Sequence, residues 1–157
     1  MPTKRKNKRP SWDEYFMELA QVVKKRTNCL RNAYGSLIVK DFRIISTGYV
    51  GTPHGIKNCL AGGCERCARR EKGEIKTHEY QESCICIHAE QNAIIQAAYQ
   101  GSSTKGAMMY STISPCSSCA KMIINAGITR FVYNKPHHDK EGIELLKKAK
   151  VKVDIQT

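Results

Sequence analysis

Three residues of the chain, His88, Cys116 and Cys119, carry chemistry jointly that none carries alone. One imidazole nitrogen and two thiolates fill three corners of a tetrahedral zinc site. A three-ligand set leaves the fourth corner to water, which marks a catalytic ion rather than a closed structural one. Cys116 and Cys119 stand three positions apart directly after Pro115. A helix starting at that proline would turn both sulfurs the same way, and the free N–H groups and dipole of its first turn favour thiolate over thiol. Glu90 lies two positions after His88, where it can take a proton from the zinc-bound water without itself being a ligand. Each part alone has an ordinary explanation. A C-x-x-C pair serves redox chemistry or half a structural zinc site, a first-turn glutamate is often a dipole-favoured surface charge, and a histidine before an apolar helix is usually packed. In combination, His88-Ala89-Glu90 followed by Pro115-Cys116-Ser117-Ser118-Cys119 points to water activated by a metal.

The elements that must hold these residues are legible around them. Ser11-Trp12-Asp13-Glu14 reads as a capping box. Trp12, Phe16, Leu19, Ala20 and Val23 then recur at helical spacing, which predicts an amphipathic helix from 11 to about 26. Two β-branched runs, 35–40 and 43–50, are separated only by Asp41-Phe42 and form a hairpin. Ala89, Ala93, Ile94, Ala97 and Ala98 give the helix 88–100 an inner side. A strand at 107–113, a helix at 116–126 ended by Gly127, a strand at 129–133, a helix at 140–149 and a strand at 151–155 follow. Helix and strand alternate after the hairpin, which predicts an α/β fold: a three-layer α/β/α sandwich with a mixed sheet. Residues 11–157 form one domain behind a basic tail at 1–10, with no internal repeat.

Residues 51–87 carry Gly, Pro, Cys and charges with little periodicity, too long a stretch for an ordinary loop. Six further cysteines, Cys29, Cys59, Cys64, Cys67, Cys84 and Cys86, offer a staple. Cys64-Glu65-Arg66-Cys67 has zinc-knuckle spacing, Cys84 and Cys86 could complete a tetrahedron, and Cys29 and Cys59 are equal alternatives. A structural zinc held by four of these six would order the insertion; such sites contribute on the order of 10–16 kcal/mol in small peptides. The other reading is that some are buried free thiols. No apolar run of about 18 residues exists to span a membrane. The basic start leads into Trp12-Asp13-Glu14 rather than an apolar signal segment, so the cysteines belong to a reducing, cytoplasmic setting. The net charge is +12, and Lys4, Arg5, Lys6, Lys8 and Arg9 crowd the first ten positions. That balance suits phosphate-bearing partners, and the tail reads either as a solubilising segment or as a nucleic-acid arm.

With these residues in view, the chain resembles the deoxycytidylate (dCMP) deaminases of the cytidine deaminase superfamily. The H-x-E…P-C-x-x-C pattern is the signature of zinc nucleobase deaminases. The resemblance extends over Ser11–Met17, the Gly48-Tyr49-Val50-Gly51-Thr52-Pro53 loop, the segments from His88 and from Ser114, and the cysteine-rich insertion. It implies conversion of dCMP to dUMP and ammonia, feeding thymidylate synthesis, with Glu90 as the proton carrier and a second zinc in the insertion. It further implies a homo-oligomer, in many relatives a hexamer, and dCTP and dTTP as effectors, a triphosphate effector bringing Mg²⁺ with it. Val50, Gly51, Ala89, Ser114 and Pro115 are the expected substrate contacts, with the 48–51 loop and 111–115 as walls of the base site. Arg26, Arg31 and Lys57 are assigned to the phosphate. One departure stands out: the family's G-Y-N-G asparagine is Val50 here, which cannot hydrogen-bond. Asn32 or Asn58 would have to replace that contact, or the substrate shifts to dCTP or a modified cytosine nucleotide. A missing hydrogen bond of this kind costs about 1–3 kcal/mol. Two competing readings are a tRNA- or nucleic-acid-editing deaminase, favoured by the basic tail, and a non-catalytic zinc module holding nucleic acid, disfavoured by the intact Glu90.

Overall fold

Ser11 opens the first helix through the expected reciprocal cap. Its Oγ accepts the Glu14 N–H at 3.2 Å, and the Glu14 carboxylate accepts the Ser11 N–H at 2.6 Å. Two donors that the helix leaves unpaired are thereby satisfied. Helix α1 (Trp12–Lys24) buries Phe16, Met17 and Ala20. The computed structural model describes residues 8–157. Most of the basic tail, with Lys4, Arg5 and Lys6, lies outside the described residues; Lys8 and Arg9 do not, and are exposed.

Strands β1 (Gly35–Lys40) and β2 (Arg43–Tyr49) pair antiparallel. Asp41 and Phe42 between them both have positive φ, 50° and 57°, the twist a two-residue hairpin needs. Within 51–87 lie a 3₁₀ turn (Cys59–Ala61), helix α2 (Glu65–Glu71) and a second 3₁₀ turn (Gln81–Ser83). None of these is readable as periodicity, because each is at most two turns long, and α2 buries the charged Arg66 beside Cys67. The chain then alternates through α3 (Ala89–Tyr99), β3 (Met108–Ile113), α4 (Ser117–Asn125), β4 (Arg130–Lys135), α5 (Glu141–Lys148) and β5 (Lys152–Ile155). β4 runs past its predicted end because Ile113 pairs with Lys135 and the Ser114 N–H donates to the Lys135 carbonyl at 2.8 Å.

The sheet order is β2-β1-β3-β4-β5. β1 is antiparallel to both neighbours, whereas β3, β4 and β5 are mutually parallel. Alternate residues point to opposite faces. Leu37, Val39, Tyr110 and Val132 meet Phe16, Met17 and Ala20 of α1. Ile38, Met109, Phe131 and Tyr133 meet Ala93 and Ala97 of α3, Cys119, Ala120 and Ile123 of α4 and Leu146 of α5. Each fully buried large apolar side chain contributes about 1.5–3 kcal/mol, so both faces of the sheet are anchored. The result is the three-layer, mixed-sheet sandwich expected from the alternation. Among the described residues, no helix is long and apolar enough to cross a membrane.

Candidate active site

Helix α3 is fixed against the end of β2 by close approach. A Cβ on Gly48 would overlap the Ala89 carbonyl and the Ala93 nitrogen, so only glycine lets the helix lie there. The Ser46 hydroxyl donates to the Ala93 carbonyl and the Asn92 amide to the Tyr49 carbonyl, each at 2.8 Å. His88 sits at the N-cap of this helix, and its N–H donates to the Gln91 side chain at 3.1 Å. Just before it, Ile87 exchanges both backbone hydrogen bonds with Gly51, which ties the approach to α3 to the loop after β2.

Strand β3 delivers Pro115 to the start of α4. The helix opens two residues later than a proline start would give: Cys116 is the N-cap, and its Sγ accepts the Cys119 N–H at 3.5 Å. The start of α5 locks this turn in place, since a Cβ on Gly142 would overlap the Pro115 carbonyl. His88 Nδ1 lies 3.5 Å from Cys116 Sγ and 3.3 Å from Cys119 Sγ, and the three ligand atoms are within 4.8 Å of one another. An imidazole and two sulfurs converging on one point fit a divalent zinc-type ion.

Charge in the cluster is strongly polarised. The Cys119 thiol, hydrogen-bonded to Cys116, pulls Cys116 down to about 3 against the opposing effect of burial, and the His88 ring adds to the pull. The same thiol contact, with burial, pushes Cys119 up. Contact with the Cys116 sulfur raises His88 above the ordinary imidazole value. Glu90, in the first turn of α3, is 3% exposed. Burial raises its carboxyl above the usual carboxylate range, partly offset by a backbone hydrogen bond, the His88 ring and the Ser111 hydroxyl. That hydroxyl donates to Oε1 at 3.0 Å, and the Cys119 sulfur lies 3.7 Å from Oε2.

The cluster opens into a cleft of about 830 Å³. Among the expected contacts, Val50 and Ser114 line it together with His88, Glu90 and Cys116. Ala89 and Pro115 are buried behind it, and Gly51 is buried against the Asn28 side chain. Asn32 lines the cleft but Asn58 does not: the Asn58 side chain accepts from Asn28 at 3.0 Å. Arg26, Arg31 and Lys57 are also absent from its walls, and Arg31 pairs with Glu71 at 2.8 Å. The structure instead brings Tyr34, Arg66, Arg70, Thr77, His137 and His138 to the cleft. The Arg66 guanidinium is committed to the carbonyls of Glu79 and Thr77 at 3.0 and 2.7 Å. A signal for the two histidines existed in the sequence: they follow the C-terminal end of a parallel strand, where α/β sheets form ligand crevices.

The six remaining cysteines converge in a separate buried cluster with Val50 and Ala89. Two overlapping groups of four have all their sulfurs within 4.8 Å of one another: Cys29, Cys59, Cys67 and Cys86, and Cys64, Cys67, Cys84 and Cys86.

Comparison with known proteins places this geometry. The sequence model of the cytidine and deoxycytidylate deaminase zinc-binding region matches residues 10–135. The deoxycytidylate deaminase of Saccharomyces cerevisiae is 38% identical over 146 residues, covering 92% of this chain but 45% of the yeast protein. The chain thus spans less than half the length of that relative. The deoxycytidylate deaminase of Mycobacterium phage D29 is 38% identical over 131 residues, covering 81% of this chain and 97% of the phage protein. The crystal structure of the dCMP deaminase of cyanophage S-TIM5 in complex with dCMP and dUMP superposes with a TM-score of 0.76 at 29% identity, covering 96% of this chain and all of that one. A match over most of the sheet and both halves of the His88–Cys119 cluster places the chain in the cytidine and deoxycytidylate deaminase family.

Proposed function

We propose that the chain is a zinc-dependent hydrolytic deaminase that converts dCMP and water to dUMP and ammonia. The observation that carries this is Glu90: a buried carboxylate with a raised pKa, beside three converging zinc-type ligands at the base of an open cleft. His88, Cys116 and Cys119 are the residues that hold the ion, which when bound supplies the Lewis acidity that makes water nucleophilic near neutral pH. Glu90 draws a proton from the attacking water as its oxygen bonds to C4 of the cytosine ring, and delivers that proton to N3. It then passes the second proton of that water to the exocyclic nitrogen, and the C4–N bond breaks to leave uracil and ammonia. A carboxyl pushed toward neutrality suits both halves of this cycle, because it must accept and donate at the same pH. The Ser111 hydroxyl holds the carboxylate toward the cluster. Val50, Tyr34, Ile113 and Ser114 wall the base, and Asn32 is the side-chain amide available to the sugar in place of the missing loop asparagine.

The phosphate faces Arg70 and His138 rather than Arg26, Arg31 or Lys57, because only the former pair lines the cleft. Four of the six non-catalytic cysteines hold a structural zinc, and dCTP and dTTP, each with its Mg²⁺, act as effectors of a homo-oligomer. The exposed aromatic group of Trp12, Tyr15 and Phe42 supports an assembled state. The test is a panel of dCMP, dCTP, cytidine and tRNA assayed for ammonia with and without dCTP. dCMP turnover that falls by about 10²–10⁴ in Glu90→Gln with zinc retained is the expected result. Release from tRNA alone, or full activity in Glu90→Gln, would sink the reading.

A further inference from the structure

Six sulfurs are more than one tetrahedral ion uses, yet all six converge. We propose that they hold two zinc ions in one cluster. Cys67 and Cys86 bridge, Cys29 and Cys59 complete one tetrahedron, and Cys64 and Cys84 complete the other. The proposal rests on the reading of the insertion as a structural zinc site and extends it.

The spacing supports it. A Zn–S bond of about 2.3 Å sets a tetrahedral S···S edge of about 3.8 Å, whereas a disulfide needs about 2.05 Å. Cys29 lies 3.9 Å from Cys67, Cys67 lies 3.8 Å from Cys84, and Cys64 lies 4.0 Å from Cys84. These spacings match the edge of a zinc–thiolate tetrahedron.

The way the two groups overlap points the same way. Both contain Cys67 and Cys86, and the remaining four sulfurs divide into one pair on each side, so two edge-sharing tetrahedra account for every sulfur. A lone ion in either group would leave two thiols within 4.8 Å of Cys67 and Cys86, two of its ligands, but with no role. Backbone amides also converge: the Leu30 N–H donates to the Cys59 sulfur at 3.3 Å and the Arg31 N–H to the Cys29 sulfur at 3.4 Å. Such donors stabilise sulfur as thiolate. Charge poses no obstacle, because two divalent ions against six thiolates leave the same net charge as one ion against four. An all-thiolate tetrahedral set selects zinc or iron among common metals, and the bridged arrangement of six ligands around two ions assigns zinc.

The consequence lies at His88. Cys84 and Cys86 are the last two cysteines before it, and Cys29 sits in the segment after α1. A shared cluster therefore clamps three separate stretches of chain to the residue that begins α3.

The test is metal and thiol counting on the full chain purified under reducing conditions. Zinc and iron are measured by mass spectrometry and accessible thiols by a chromogenic disulfide. The expected result is about three zinc ions per chain, falling by one in His88→Ala, with no iron and no reactive thiol in the insertion. Replacement by ¹¹³Cd should give two all-thiolate resonances coupled to each other through the bridging sulfurs. A single uncoupled all-thiolate resonance, with two reactive thiols, would overturn the two-ion cluster and leave the single structural zinc standing. No all-thiolate resonance at all, iron in place of zinc, or a disulfide would overturn both. Ammonia release from dCMP is read on the same samples, so loss of the deaminase reading registers separately.

Discussion

At the scale of single residues, Ser111 is the group whose removal separates holding from binding. Its hydroxyl donates to Glu90 Oε1 at 3.0 Å from a fully buried position. A hydrogen bond to a charged group is worth about 1.5–3 kcal/mol, which corresponds to roughly a ten- to hundredfold change in rate. Ser111→Ala is therefore expected to lower kcat for dCMP by about that factor while KM and zinc content stay near wild type. Steady-state kinetics alongside metal counting checks it, and a proportional rise in KM would mean that Ser111 binds substrate instead of orienting Glu90. His88, Glu90, Cys116 and Cys119 were legible in the sequence because their chemistry attaches to residue type and short spacing. Arg70, His138 and Tyr34 were not. They reach the cleft from α2, the loop after β4 and the segment before β1, and no local pattern announces that meeting. Arg26, Arg31 and Lys57 were plausible phosphate contacts on charge alone, but charge carries no information about direction.

At the scale of elements, the site depends on where two helix starts are pinned. Gly48 under α3 and Gly142 against the turn into α4 are where backbone meets backbone at those two starts. Gly48→Ala forces α3 away from β2. The cost is about 1–3 kcal/mol, typical of overpacking, and the displacement carries His88 and Glu90 with it. The variant is expected to unfold at lower denaturant and to lose both zinc and activity, whereas Ser111→Ala loses activity alone. Retention of zinc at wild-type stability would show that α3 adjusts freely. Helices α1 and α4 were readable because each presents an apolar face to the sheet, Phe16, Met17 and Ala20 in one and Cys119, Ala120 and Ile123 in the other. Helix α2 was not, for a physical reason: its buried positions are Arg66 and Cys67. An arginine bonded to the Glu79 and Thr77 carbonyls defeats any hydrophobic periodicity. Its order comes from hydrogen bonds and sulfur, not from apolar burial.

At the scale of the whole molecule, one ionic network joins α1 to the parallel half of the sheet. Alternation of helix and strand predicted a mixed sheet but left open its order, since β1 finds β3 only through pairing across a long sequence gap. That order is what brings Asp13 to Arg130. The guanidinium donates to both Asp13 oxygens at 2.8 and 2.7 Å and to Asp154 at 2.7 Å, while the Tyr110 hydroxyl donates to Asp13 at 2.6 Å. The Arg130 hydrogen bond, working against burial, holds Asp13 below its ordinary value of 3.8. A carboxyl depressed in the folded state binds protons more weakly there than in the unfolded chain. Its contribution is therefore fully present above about pH 4 and is lost as pH falls through the folded value. Asp13 is partly exposed, so the solvent-screened contribution is about 1 kcal/mol. Asp13→Asn should lower unfolding stability by that amount at neutral pH. The difference from wild type should hold steady down to about pH 4 and shrink below it, as wild-type Asp13 becomes neutral too. Denaturant melts at a series of pH values read this directly. A gap that persists undiminished well below pH 3 would mean that α1 is held to the sheet by packing of Phe16 against Tyr110, with the charge on Asp13 contributing nothing.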